Sequence, residues 1–167
     1  MYYVWFAASA GAVPLESWED KIPNANQRFK VLSEFEGAAV LDKETQLVWE
    51  QSPLTTFHTW DFSAGVFESA LTQCTTRTTG GRKGWRLPSV HELASLVDPA
   101  NSNRSLPTGH PFANVQSAFY WSATSSTGTP TSAWIVFFND GVVGQGHKAF
   151  NGGHAWCVRG GMNADTY

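Results

Sequence analysis

Apolar and polar positions alternate in two short runs, 38–42 and 46–50. The alternation predicts a β-hairpin closed by Lys43, Glu44 and Thr45, with Leu47 and Trp49 facing inward. From 62 to 74 the period lengthens to that of a helix. Phe62, Val66, Phe67, Ala70 and Leu71 share one face there, and Asp61 stands where an N-cap belongs. A second helix follows the turn Trp85-Arg86-Leu87-Pro88: Ser89 and Glu92 have capping-box spacing, Val90, Leu93, Leu96 and Val97 form the apolar stripe, and Pro99 ends it. Residues 98–118, rich in Pro, Asn, Ser and Gly, read as a loop long enough to be a candidate functional segment. Beyond it, 119–124, 133–138, 142–146 and 155–159 read as strands, with Asn139-Asp140-Gly141 as a tight hairpin turn. Two helices between flanking strands predict an α+β domain whose ends can meet in one sheet. The expected boundaries are an irregular arm over 1–36, one domain over 37–161 and a tail over 162–167.

One strand carries an excess of apolar residues. In 133–138, Trp134, Val136 and Phe138 are expected to face the core, which leaves Ile135 and Phe137 on a face where a solvated sheet would carry polar side chains. Either that face is a recognition patch, or another layer or a subunit covers it.

Composition sets limits on these readings. A chain of 167 residues with 42% hydrophobic content suits one packed globule. Its eight Trp and eleven Phe are expected mostly in the core. The net charge of -3 is uneven: residues 1–68 hold ten Asp/Glu against four Lys/Arg, and residues 69–167 hold four against seven. Arg77, Arg82, Lys83, Arg86 and Arg104 supply much of the basic half and could meet a polyanion. Nucleic-acid binding is not expected, because the chain as a whole is acidic and shows no basic helix or reader motif. The N-terminal run 1–12 is apolar and small-residue rich but lacks the basic start of a secretory signal. No run approaches the roughly 18 apolar residues of a membrane span, so membrane insertion is not expected. Cys74 and Cys157 lie too far apart for a paired-cysteine metal motif and are either disulfide-bonded or two buried thiols.

Catalytic patterns are lacking. His58, His91, His110, His147 and His154 form no His-Glu-x-x-His motif, no Ser sits in a nucleophile elbow, and nothing pairs Glu68 with Glu92. The chain is not expected to be an enzyme.

Four blocks carry a specific resemblance: 40–50 (VLDKETQLVWE), 84–93 (GWRLPSVHEL), 120–124 (YWSAT) and 156–159 (WCVR). In order and spacing they resemble the bacterial family named for the C-terminal domain of the Legionella collagen-like protein. The resemblance implies a C-type-lectin-like fold, a link between Cys74 and Cys157, and binding rather than catalysis. Some proteins of that fold hold calcium, and Asn139-Asp140 superficially resembles their Asn-Asp ligand pair. Calcium takes about six to eight oxygens, however, and the long loop lacks the Glu-Pro-Asn or Gln-Pro-Asp partner. Asn139, Asp140 and Gly141 are therefore read as turn residues, and no metal or cofactor is expected.

The segment 135–154 resembles, more narrowly, the variable proteins of diversity-generating retroelements. In those proteins Asn codons of a template are randomised ahead of a fixed Trp-Cys-Val-Arg-Gly-Gly ending, present here as 156–161. Such mutagenesis does not reach Lys, Glu, Gln, Met or Trp. Ile135, Phe137, Asn139, Asp140, Val142, Gly144, Gly146, His147, Phe150, Asn151, Gly152, Gly153 and His154 all fit, while Gln145 does not. These thirteen residues are the expected ligand-binding surface, with a protein or other surface macromolecule as partner. Two alternatives stand beside it: an adhesin that binds sulfated polysaccharide through the five basic residues, and a structural subunit whose apolar patch is a homo-oligomer interface. The expected location is extracellular, on a cell surface or a phage particle.

Overall fold

The structure is a computed structural model that describes residues 22–61, 69–101, 105–150 and 152–160. Its elements, in chain order, are one helical turn α1 (Ala25–Arg28), strands β1 (Phe29–Val31), β2 (Ala39–Asp42) and β3 (Leu47–Glu50), helices α2 (Ala70–Thr75) and α3 (Val90–Ala94), and strands β4 (Phe119–Ser125), β5 (Ser132–Phe137), β6 (Val143–His147) and β7 (Val158–Arg159). Two antiparallel sheets result, one in the order β1-β2-β3-β7 and one in the order β4-β5-β6. This is the α+β architecture expected, and it is compatible with a C-type-lectin-like fold.

The chain from Gly153 to Arg159 joins the sheets. His154 bridges Tyr120 of β4, the His154 carbonyl accepts from Trp121 N at 3.0 Å, and Val158 pairs with Trp49 of β3. Alternation along this stretch feeds two cores. Trp156 and Val158 join Trp49, Tyr120, Val136 and Phe138 on one side, while Ala155 and Cys157 join Cys74, Trp85, Trp121 and Ile135 on the other. In the first core the Trp156 ring meets Trp49 at 5.7 Å and Phe112 at 4.9 Å, both edge to face. Cys74 of α2 is bonded to Cys157, which anchors that helix to the joining stretch.

Residues 22–36 are not an irregular arm. β1 pairs in register with β2, and Phe29, Leu32 and Phe35 are buried in the cores, so the folded unit begins well before residue 37. A buried ion pair holds this segment. Arg28 Nε and Nη2 donate to the two Asp42 carboxylate oxygens at 2.9 and 2.7 Å, and Nη2 also donates to the Ser95 carbonyl at 2.9 Å.

The second helix starts as its sequence dictates. Ser89 accepts from Glu92 N at 3.2 Å, and Glu92 accepts from Ser89 N at 2.7 Å, a reciprocal capping box that satisfies two orphan donors. The first helix is capped by Ser69, whose hydroxyl accepts from Thr72 N, rather than by Asp61. The expected turns over 62–68 lie outside the described residues. The 98–118 loop is used structurally where it is described: Ser105, Leu106, Phe112 and Val115 are buried, and Ser105 N donates to the Phe138 carbonyl at 2.7 Å.

Candidate functional site

Strand β5 has two apolar faces because the domain has two cores. Val136 and Phe138 enter the first core with Trp134 packed against it, as expected. Ile135 is only 3% exposed and lies in the second core beside Trp121 and Ala133. It is therefore a packing residue, and another layer of this same chain covers it. Phe137 is half-buried beside that core, its ring 5.7 Å from Phe119.

The end of the nominated segment is buried for the same reason. His154, 3% exposed, is held between β4 and the loop after β3: its N donates to the Phe119 carbonyl at 3.1 Å, and its Nδ1 lies 3.1 Å from the Thr56 carbonyl. Phe57 covers the imidazole at 4.8 Å. Burial, with the neighbouring His58 adding to it, pushes the His154 pKa below its ordinary value. Gly153 is buried as well. A Cβ there would overlap Trp121 Nε1 and stand 2.5 Å from Phe119 Cε2, so the ring pair requires glycine. A Cβ on Gly146 would stand 2.9 Å from Cη2 of the same indole, and a Cβ on Gly152 would overlap the Phe150 ring. At Gly144 a Cβ would stand 3.2 Å from Phe137 Cε2.

What remains exposed and apolar flanks β6 on both faces: Phe150 lies on the face of Phe119 and Phe137, with Val142 next to Phe137 in the hairpin, whereas Val143, opposite Val136 in the ladder, emerges on the other face. Val142 is 54% exposed, Val143 43% and Phe150 58%. Phe150 stacks on Phe119 at 6.3 Å with 22° between the rings, and Phe119 is braced edge to face by Trp121 at 5.5 Å. Trp121 is in turn fixed by its Nε1 donating to the His58 carbonyl at 2.8 Å. An exposed aromatic side chain is thus held in place by a half-buried one. Asn139 and Asp140 are exposed in the β5–β6 turn, where Val142 N donates to Asp140 Oδ1 at 3.1 Å and Gly141 has a φ of 79°. His147 is exposed, with Nδ1 accepting from Ala149 N at 3.3 Å. Asn151 lies outside the described residues.

Sequence reasoning missed three contributors. Phe119 supplies the base for Phe150, Phe57 is 54% exposed above His154, and Lys148 places its ammonium 4.2 Å over the Trp60 ring while donating to Ser125 Oγ at 2.7 Å. The strand pattern could have flagged Phe119, which directly faces Phe137 across the β4–β5 ladder. No local signal marks Phe57 or Lys148.

The five basic residues do not act as one free patch. Arg77 lies 3.3 Å from the buried Glu50 carboxylate, an ionic contact without a well-aligned hydrogen bond. Burial drives the Glu50 pKa up, although Thr79 donates to it at 2.5 Å and Arg77 faces it. Arg86 grips Glu92 through two bonds of 2.8 and 2.6 Å and also donates to the Gly160 carbonyl at 3.0 Å. Burial alone would raise the Glu92 pKa, but the bonds from Arg86 and Ser89 bring it below the usual carboxylate value. Arg82 and Lys83 are exposed, and Arg104 lies outside the described residues. No group of three or more His, Cys, Asp or Glu among the described residues could hold a metal ion. Nor is any described helix long and apolar enough to cross a membrane.

Two joined antiparallel sheets and a helix tied down by a disulfide define an α+β, lectin-like domain. A family model described as the Lcl C-terminal domain matches residues 38–159, and the chain belongs to that family, whose membership points to a non-enzymatic binding domain. The curated proteins compared with the chain gave no match.

Proposed function

We propose that this protein binds a macromolecular ligand through the exposed surface of Val142, Phe150 and the rim of Phe137, and that this surface is diversified by a retroelement. The observation that carries the reading is Phe150, more than half exposed and yet held flat on Phe119. Such preordered aromatic side chains lose little entropy on binding and serve as anchors in protein interfaces. The apolar character of the surface favours a protein partner over a sulfated polysaccharide, since two of the five nominated cations already face carboxylates. The disulfide supports an oxidising, extracytoplasmic setting such as a cell surface or phage particle.

The diversification reading now carries a positional requirement. Val142, His147 and Phe150 point outward and tolerate change, whereas Ile135, Gly146, Gly153 and His154 are fixed by packing. The test is to sequence the DNA flanking the gene for a reverse-transcriptase gene and a near-copy of the stretch encoding 119–159. A copy whose adenines fall on the codons of 142, 147 and 150, and spare 153 and 154, supports the reading. A copy that differs at the buried positions, or no copy at all, overturns it. Sedimentation at rising concentration tests the competing assembly reading: self-association abolished by Phe150→Ala would make the patch a homo-oligomer interface instead.

A further inference from the structure

A groove lies away from this patch, on the four-stranded sheet. Val40 and Trp49 point into the first core, so their neighbours Leu41 and Val48 emerge on the opposite face. Register then places Leu41, Val48 and Arg159 in one row across β2, β3 and β7. At the usual strand spacing the row runs about 10 Å from Leu41 to Arg159. The second core covers only part of this face, leaving Leu41 and Val48 half-buried at its edge. They and Leu32 floor a groove of about 320 Å³.

Phe35 closes one side of the groove, and two guanidinium groups line the same side. Arg82 Cζ lies 5.7 Å and Arg159 Cζ 5.6 Å from the Phe35 ring centroid. The ring itself cannot retreat. Trp85 meets it edge to face at 6.2 Å, and Gly80 approaches its backbone so closely that a Cβ there would stand 2.7 Å from Phe35 Cβ. Cations held against a fixed ring next to an aliphatic floor make an amphipathic pocket, in which a carboxylate can take two parallel N–H bonds while its apolar body covers the floor. Glu34 also lines the groove, and Glu36 beside it is exposed. Both repel a polyanion, so the charge pattern selects a ligand with one negative group.

We propose that this groove binds a peptide residue that presents a single carboxylate beside an aromatic or branched aliphatic side chain. Its volume has room for one large side chain and its carboxylate rather than a continuous chain. Arg82 thereby acquires a role distinct from polyanion capture, and Arg159, which the basic-patch reading did not include, becomes its companion.

The test is an NMR titration of the intact protein with N-acetyl-L-phenylalanine, following the Leu41 and Val48 methyls and the Arg82 and Arg159 Nε–H signals. The uncharged N-acetyl-L-phenylalaninamide and inorganic sulfate serve as comparison probes. Saturable shifts with the acid are expected, in the millimolar range, and about tenfold weaker binding both for the amide and in Arg82→Gln. Phe150→Ala should leave the titration unchanged, which separates this site from the apolar patch. The proposal is overturned by an equal response to the amide, by sulfate reproducing the shifts, by undiminished binding in folded Arg82→Gln, or by no saturable shift up to about 20 mM acid, well past the millimolar range.

Discussion

Gly153→Ala and Phe150→Ala separate scaffold from surface within two turns of the same segment. The methyl group added at 153 would overlap Trp121 Nε1 and crowd Phe119 Cε2. The indole cannot yield freely. Trp121 is fully buried and bonded to the His58 carbonyl, and the backbone at 153 is pinned by its own carbonyl accepting from His58 N at 2.8 Å. Overpacking of this kind costs about 1–3 kcal/mol. Displacing the indole from its carbonyl adds about 1 kcal/mol. The sum, about 2–4 kcal/mol, corresponds to a melting temperature lowered by roughly 5–15 °C for a domain of this size. Phe150→Ala removes a ring that is 58% exposed, and its effect on stability should stay within about 1 kcal/mol. Thermal unfolding followed by circular dichroism, with both variants at one protein concentration, provides the comparison. If Gly153→Ala melts with the parent protein, or if Phe150→Ala is the more destabilised of the two, the division between fixed and free positions is refuted.

Three other perturbations test the framework. Replacing both cysteines, Cys74→Ser with Cys157→Ser, opens a loop with a sequence separation of 83 and should lower stability by about 2–5 kcal/mol, read as a reduced midpoint in urea. Asp42→Asn leaves the Arg28 guanidinium, 7% exposed, with only the more distant Glu44 carboxylate at 3.5 Å, and a loss of about 1.5–3 kcal/mol is expected in the same assay. The buried His154, with its lowered pKa, contributes stability that is complete above the ordinary histidine value near 6.5 and is lost as pH falls through the folded value. Melting temperatures should therefore decline below pH 6.5, and the His154 imidazole resonances should titrate below the range of a free imidazole. A His154 signal that titrates at or above that range would contradict the burial argument.

The sequence by itself determined what depends on neighbours in the chain. The Ser89–Glu92 capping box, the β2–β3 hairpin, the Asn139-Asp140-Gly141 turn and the alternation that sends Val136 and Phe138 inward all follow from local backbone chemistry and side-chain period, and all are present in the structure. Alternation alone could not say what lies on the far side of a strand. Ile135 was legible as an apolar residue on the second face, and only the packing of Trp121, Ala133 and the joining stretch 153–159 made that face a core rather than a surface. The same holds for β1, too short for its period to register, which is a strand because β2 offers it a register and Asp42 offers Arg28 a buried partner. The exposed Phe150 and the groove beside Phe35 are likewise tertiary facts. Each depends on rings and guanidinium groups brought together from distant segments, by contacts whose energies exist only once the two sheets are joined.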